Sequence, residues 1–247
     1  MDHDFSHVYE VFKEYSIDIA PQLLILWETS SEPWGVKDID SRYVYGNKAY
    51  YRLLNLNPSL MKIQGYFDDE LPCSIAKFAW FFKEHDRHTV AMQDRLCSLE
   101  IHCYGPEQLL KPYYFDKFPL FDNTTGKCVG TIFHARELDN FSLLKHINGE
   151  QPGFFRFYPP ENLFSETELD VVFFVLQSLS SKNIAKKLNR SHRTIENKLQ
   201  QIYQKAGVHN LNQFQEFCRE KGFDRYIPQK FFRPGSRMLS HVKKQLP

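Results

Sequence analysis

The chain lacks the features that mark membrane, secreted or disulfide-stabilised proteins. No apolar run approaches the ~18 residues that a transmembrane helix needs. The first residues, MDHDFSHVYEVF, are acidic and have neither the basic start nor the apolar stretch of a signal peptide. The five cysteines are an odd number without a CxxC pair, which favours reduced thiols. We therefore expect a cytoplasmic protein with no membrane partner.

Common enzyme motifs are also missing. There is no Gly-rich phosphate loop, nucleophile elbow or metalloprotease motif, so we predict no enzymatic activity and no catalytic residue. His85 and His88 lie three residues apart on a predicted helix, and His102 adjoins Cys103. They could ligate a metal or haem, but packed or solvated histidines are far commoner. We therefore predict no metal site.

Charge is unevenly distributed along the chain, although the net charge is only +1. Residues 161–247 contain 15 Lys and Arg against 8 Asp and Glu, whereas residues 1–160 contain 16 against 22. This asymmetry is typical of a basic module that meets a polyanion, joined to an acidic module that does not.

Turn signals and changes of pattern divide the chain. Residues 31–140 alternate aromatic-rich runs with turns around one helical stretch, which predicts an α+β arrangement of antiparallel strands with inserted helices. Before them, apolar residues follow helical spacing at Val8, Val11, Phe12, Tyr15 and Ile19. The predicted divisions are a domain at 1–147, a linker at 148–160, an all-α four-helix domain at 161–221 and a basic tail at 222–247.

Two of these segments carry further expectations. The linker is rich in Gly and Pro but also contains FFRFY at residues 154–158. A purely flexible tether does not need four aromatic residues there, so we predict that they dock on one or both domains. The alternative is that they cap the sheet and leave the helical domain free. The tail is expected to pack at YIPQKFF and to be mobile beyond Pro234.

The helical domain has clear start and stop signals. Ser165 and Glu168 have the spacing of a capping box, and they precede an apolar stripe at helical spacing. SSKNIAKKLN predicts a short second helix, followed by a turn at Asn189 and Arg190. Ser191 can cap a third helix, which Gly207 can end in the left-handed conformation.

The third helix would present an amide-rich and cationic face. If Ile195 points to the core, then Leu199 and Ile202 lie on the same side at about 100° per residue. The opposite face carries side chains that can contact guanine and adenine edges in a major groove. Other side chains around it could contact phosphates. The predicted DNA-binding residues are Lys182, Arg193, Thr194, Glu196, Asn197, Lys198, Gln200, Gln201 and Gln204. A solvated helix face is the alternative, but the preceding short helix and tight turn favour a helix-turn-helix.

The segment from FSETELD through NIAKKL and SHRTIENKL to IYQKAGVHN resembles the DNA-binding domain of LuxR/NarL-type bacterial regulators. It departs from the family at Ser178, where glycine is usual, and at Lys198, where histidine is frequent. The resemblance implies that the third helix enters the major groove and that the fourth mediates dimerisation. The fourth helix maps to NLNQFQEFCREKG, with a stripe of Leu211, Phe214 and Phe217. Core packing is the alternative for that stripe.

Residues 25–140 resemble a PAS domain, from PWGVKDIDSRYVYGNKAY to CVGTIFHARE. The resemblance implies a five-stranded antiparallel sheet with helices on one face. The enclosed pocket could hold a small-molecule ligand, or the module could be simply a dimer surface. Cys73 follows a proline, not the asparagine of the flavin-photoadduct motif, so a light-sensing flavin is not expected. No cofactor is predicted with certainty.

Together these patterns predict a sequence-specific transcription regulator that binds double-stranded promoter DNA as a homodimer, with RNA polymerase as a further candidate partner. The alternative is a PAS-based adaptor whose helical domain binds protein. The sequence does not name the signal, the promoters, or the direction of regulation.

Overall fold

The structure is a computed structural model that describes residues 12, 15, 17–140 and 153–239. Val8 and Val11 of the N-terminal pattern lie outside the described residues, as do residues 148–152 of the predicted linker. Contacts divide the chain into two units: residues 1–138 with 233–247, and residues 139–232.

Unit 1 is an antiparallel sheet with helices. Its helices are α1 (Pro21–Thr29), α2 (Lys48–Leu54) and α3 (Ala79–Met92), with 3-10 turns at Asp68–Glu70 and Ala76–Phe78. Its strands are β1 (Trp34–Asp38), β2 (Tyr43–Gly46), β3 (Leu96–Tyr104), β4 (Leu109–Phe121), β5 (Cys128–Glu137) and β8 (Gly235–Leu239). The order in the sheet is β2-β1-β5-β4-β3-β8.

Local turn chemistry sets the hairpins of this sheet. Between β1 and β2, the Asp38 carboxylate accepts from the backbone N–H groups of Asp40 and Arg42. Between β4 and β5, Asp122 accepts from Thr124 and Thr125 in the same way. At the crossing of β5 and β1 only glycine fits, because a Cβ on Gly130 would lie 2.1 Å from the Lys37 carbonyl oxygen.

One apolar cluster of unit 1 joins Leu24 and Trp27 of α1 to Val36 and Val44 of the sheet. The larger core lies between one face of the sheet and the helices α2 and α3. Burial alternates along β3, as expected for a strand with one covered face. The apolar part of this core is rich in aromatic side chains that contact one another edge to face, such as Tyr50 and Phe133 with ring centroids 4.7 Å apart. The α+β, PAS-like architecture expected from the sequence is therefore confirmed.

In the described part of the chain the sheet has six strands, where five were expected. The additional strand is β8, which comes from the C-terminal tail and pairs antiparallel with β3. The expectation of a mobile chain beyond Pro234 is therefore wrong for residues 235–239. Strand pairing across more than 130 residues leaves no local signal in the sequence.

Unit 2 contains the four predicted helices. They are α4 (Glu166–Leu176), α5 (Ser181–Leu188), α6 (His192–Ala206) and α7 (Leu211–Lys221), preceded by the short pair β6 (Asp139–Asn140) and β7 (Gly153–Phe154). Ser180, Ser191 and Asn210 each accept a backbone N–H in the first turn of the helix that follows. The helices enclose a core that includes Ile184, Ile195 and Phe214.

The described part of the aromatic linker packs within unit 2. Phe157 is buried, and its ring centroid lies 5.5 Å from that of Phe232. Arg156 pairs with Tyr226 in an isolated parallel bridge. In the YIPQKFF segment, the Phe231 ring contacts Phe173 and Phe174 of α4.

Ser178, the departure from the family glycine, adopts the left-handed conformation with φ 60° just after α4. We predict that Ser178→Gly raises the free energy of unfolding by roughly 0.5–1 kcal/mol. The relieved strain, about 1–2 kcal/mol, exceeds the entropy of about 0.4–1 kcal/mol that glycine adds to the unfolded chain. Urea unfolding followed by far-UV circular dichroism measures the change.

The matched control is Gln177→Gly, because Gln177 has φ −85° and gains nothing from glycine. This control should destabilise the protein. Equal effects of the two substitutions would show that the backbone at Ser178 is not strained.

Candidate functional site

Burial of the apolar side chains of α6 determines which of its faces is exposed. Ile195 and Ile202 are fully buried in the core of unit 2. Arg193, Asn197 and Gln200 are exposed. Because these positions lie on the opposite side of the helix, burial of the isoleucines orients the polar row outward.

The ends of α6 are equally well defined. The backbone N–H of Thr194 donates to Ser191 Oγ at 3.1 Å, which satisfies one of the free donors of the first turn. Gly207 ends the helix with φ 68°. Asn189, with φ 51°, turns the chain from α5 into α6. Two helices joined by such a tight turn, the second presenting a polar face, define a helix-turn-helix.

The remaining predicted DNA-binding side chains lie on α6 and at the start of α5. Lys198 is half-buried, and its Nζ donates to Thr167 Oγ1 on α4 at 2.8 Å. The other members, Lys182, Thr194, Glu196, Gln201 and Gln204, are exposed. The structure therefore brings all nine predicted residues to α6 and the start of α5.

Lys205, which also borders this face, makes a structural contact. Its Nζ lies 2.7 Å from Oε2 of Glu168, a buried residue of the capping box on α4. Burial raises the pKa of Glu168, but hydrogen bonds from Lys205 and Ser165 outweigh it and hold the pKa below its ordinary value. This ion pair joins the first helix to the third.

One predicted dimer contact needs correction. Phe214 is fully buried, and its ring contacts Phe164 and Tyr203. Its side chain is part of the domain's own core and presents no surface to a partner. Phe217 is half-buried and stacks on Phe223, whereas Leu211 is exposed.

Unit 1 contains an inner cavity. Its volume is only about 20 Å³, roughly the space of a single water molecule. Its walls combine aromatic rings with ionisable groups: Lys37, Tyr43, Tyr50, Asp68, Ile75, Phe82, Glu100, Phe115, Lys117 and Phe133. A ligand larger than water would therefore need some of these side chains to move.

Most of the buried charges around the cavity are paired. Lys37 Nζ lies 2.6 Å from Asp68 and 3.4 Å from Asp86. Burial lowers the pKa of Lys37, but the two carboxylates outweigh it and the pKa is raised. Lys117 bonds to Asp86 and to the Phe82 carbonyl oxygen, yet burial leaves its pKa below the ordinary value.

Glu100 differs from the other carboxylates. It is fully buried, and in the described part of the chain it forms no salt bridge. Ser98 Oγ donates to it at 2.8 Å and the Tyr104 hydroxyl at 3.3 Å. Burial raises the pKa of Glu100 to about 7.

Sequence reasoning missed this charged cluster. The available signal was that Lys117 shares the inward face of β4 with Tyr113 and Phe115. Glu100 gave less of a signal, because its inward neighbours on β3 include the polar Ser98 and His102. The histidines considered as ligands contact different partners: His85 bonds to Ser98, His88 to Glu84, and His102 to Ser236. Among the described residues, no group of three or more His, Cys, Asp or Glu is arranged to hold a metal ion.

No helix in the described ranges is both long and apolar enough to cross a membrane. The geometry of unit 2 is that of a DNA-binding helix-turn-helix domain. Residues 162–217 match the family model of bacterial regulatory proteins of the luxR family. No curated protein matches the chain.

Solved structures with both units are similar to this chain. The VqmA–ligand–DNA complex from Vibrio cholera is 25% identical, covers 91% of this chain and 99% of its own, and has a TM-score of 0.68. The phage VqmA–DPO complex is 26% identical, covers 94% and 100%, and has a TM-score of 0.61. The chain thus combines a PAS-like module with a LuxR-type helix-turn-helix, the architecture of a DNA-binding transcription regulator.

The raised pKa of Glu100 predicts a pH-dependent stability. The folded state holds this proton up to about pH 7, whereas the unfolded chain releases it near 4.5. Protonation of Glu100 therefore stabilises the folded state fully below pH 4.5, and this contribution is lost as the pH rises through 7. The free energy of unfolding should fall by roughly 3 kcal/mol over this range. Glu100→Gln should be more stable than the parent at pH 8, and the difference should vanish towards pH 4.5.

Urea unfolding between pH 4.5 and 8.5 tests this expectation. All three tryptophans, Trp27, Trp34 and Trp80, lie in unit 1, so their fluorescence reports on that unit. The exposed Glu107→Gln is the control and should leave the pH profile unchanged. A parent-like profile for Glu100→Gln would show that Glu100 is ionised in the folded protein throughout this range.

Proposed function

We propose that the protein reads promoter DNA by inserting α6 into the major groove. The observation that carries this proposal is the row of Arg193, Asn197, Gln200 and Gln204, exposed opposite the buried Ile195 and Ile202 within the luxR-family match. Guanidinium and amide groups form paired hydrogen bonds with guanine and adenine edges. A bacterial protein with this role acts in the cytoplasm, where the chromosome lies.

Each side chain around this face has a proposed role. Glu196 and Gln201 flank the base-reading row, while Lys182, Thr194 and Lys198 are placed to contact phosphates. Phosphate contacts fix the register of the helix on DNA, and base contacts provide the specificity. Lys198 can contact a phosphate only if its Nζ gives up or shares its hydrogen bond to Thr167 Oγ1.

A homodimer is the second part of the proposal. One helix reads few base pairs, and specific binding is normally obtained by two-fold pairing on half-sites one helical turn apart. The proposed contacts are the PAS-like module and, on α7, Leu211 and Phe217, without the buried Phe214. RNA polymerase is a proposed further partner if binding activates transcription.

A small molecule in the inner cavity is the proposed signal. The similar VqmA structures are complexes with a ligand and with DPO, respectively. Here the cavity offers aromatic walls and the hydrogen-bonding groups of Tyr43, Glu100 and Lys117. Such a combination is typical of ligand sites in which a few polar groups orient an otherwise apolar contact.

Replacing Arg193 and Asn197 by alanine should weaken binding to a selected duplex by ~1–3 kcal/mol per lost base contact. Both side chains are exposed, so the fold should be unaffected. Fluorescence anisotropy at several salt concentrations, with a duplex selected in vitro by the parent protein, measures the loss.

The matched control replaces Arg87 and Asn123, an exposed cation and an exposed amide of unit 1. It should bind the selected duplex like the parent. If the parent shows no preference for any duplex, or the α6 variant keeps full affinity, α6 does not read bases. A protein-binding adaptor would then be the better account.

The dimer is tested separately by sedimentation with the selected duplex present. Two protein chains per duplex are expected. Leu211→Asp should weaken this assembly if α7 forms the contact, while unfolding nothing, since Leu211 is exposed. A single chain per duplex at every concentration would rule out the dimer.

A further inference from the structure

The sixth strand of the sheet, β8, connects two parts of the molecule along the chain. It pairs with β3 over five residue pairs, from Ile101 with Gly235 to Cys97 with Leu239. Among the described residues it is also an edge strand, because none of them pairs with its other side in the sheet. Short edge strands open more readily than central strands, since only one partner holds their backbone.

The two faces of β8 have different surroundings. Ser236 and Met238 are half-buried, with Ser236 Oγ 2.8 Å from His102 Nε2 and Met238 packed on the aromatic core of unit 1. Arg237 and Leu239, on the opposite face, are exposed. Docking of this strand therefore depends on two side chains and on the backbone ladder.

The face of β8 that carries Ser236 and Met238 contacts residues next to the wall of the inner cavity. The His102 ring lies 5.7 Å from the ring of Phe82, which lines the cavity. The Phe82 carbonyl oxygen accepts from Lys117, another wall residue. A rearrangement of Phe82 would thus reach Ser236 through a single intervening side chain, His102.

The order of the elements along the chain makes β8 one of two connections between the units. Unit 2 comprises residues 139–232, so it lies in the chain between β5 and β8 of unit 1. The connection into β8 is only Arg233 and Pro234, and proline restricts its backbone. While β8 is docked, unit 2 is attached to the sheet at both ends; when β8 is released, only one attachment remains.

We propose that β8 is a releasable latch, and that its docked state restrains the helix-turn-helix unit in the arrangement that binds two half-sites. The proposal builds on the DNA-binding function proposed above. Loss of one attachment lowers the effective concentration of the second α6 at its half-site. Binding to DNA of random sequence, which needs no fixed spacing, is affected little.

The test compares two double variants on the two faces of β8. Ser236→Asp with Met238→Asp places charges against the core and should undock the strand. Arg237→Gln with Leu239→Ser changes the exposed face and is the matched control. Hydrogen exchange of the backbone amides of residues 235–239 reports docking. Anisotropy with the selected duplex and with a random duplex pool reports binding.

The undocked variant should exchange faster at β8 and bind the selected duplex at least tenfold more weakly than the parent. Its affinity for the random pool should change by less than threefold, and the control should match the parent in both. Undocking without loss of specific affinity would overturn the latch. A parent that binds neither DNA would instead refute the proposed function.

A disulfide lock keeps the proposal testable even if the charged variant does not fold, because it holds β8 permanently docked. Leu239 lies opposite Cys97 in the register. The Cα atoms of facing residues in antiparallel strands are about 4.5–5.5 Å apart, a distance that a disulfide can bridge. Oxidised Leu239→Cys should bind the selected duplex as tightly as the parent. Loss of binding on oxidation, restored by reductant and absent when Cys97 is also replaced by serine, would show that binding requires β8 to be released.

Discussion

Burial of one apolar stripe on α6 is the constraint on which the function of the helical unit depends. Ile195 and Ile202 are fully buried against α4, α5 and α7. Rotating α6 to bury its polar face would expose the two isoleucines and remove several charged and amide groups from water, which is strongly unfavourable. The identity of the exposed row is therefore a consequence of core packing. The Glu168–Lys205 pair adds a polar contact between α4 and α6.

The interior of unit 1 differs from that of the helical unit, because charged side chains line its inner cavity. Lys37, Asp68, Asp86 and Lys117 neutralise one another, and a buried ion pair of this kind tolerates the loss of neither partner. Glu100 has hydroxyl donors but no paired cation in the described part of the chain, so burial acts on it with less compensation. We therefore expect the stability of this module to depend on pH, and a ligand that contacts Glu100 would change the environment of the same carboxyl group.

Local signals made the helical unit predictable from the sequence. Ser165, Ser191 and Gly207 mark helix ends within a few residues, and the spacing of Ile195 and Ile202 sets the face. The same spacing could not separate a dimer surface from a core, and Phe214 proved to be core. The pairing of β8 with β3 and the meeting of Lys37 with Asp68 depend on contacts remote in sequence. No periodicity records such contacts, so only the structure showed them.

The central claim is that α6 lies in the major groove, and guanine N7 is accessible only from that groove. Dimethyl sulfate footprinting of the selected duplex therefore tests the claim most directly. The account predicts protection of guanine N7 in two clusters about one helical turn, roughly 10–10.5 base pairs, apart. Binding that leaves every guanine N7 as reactive as in free DNA would contradict it.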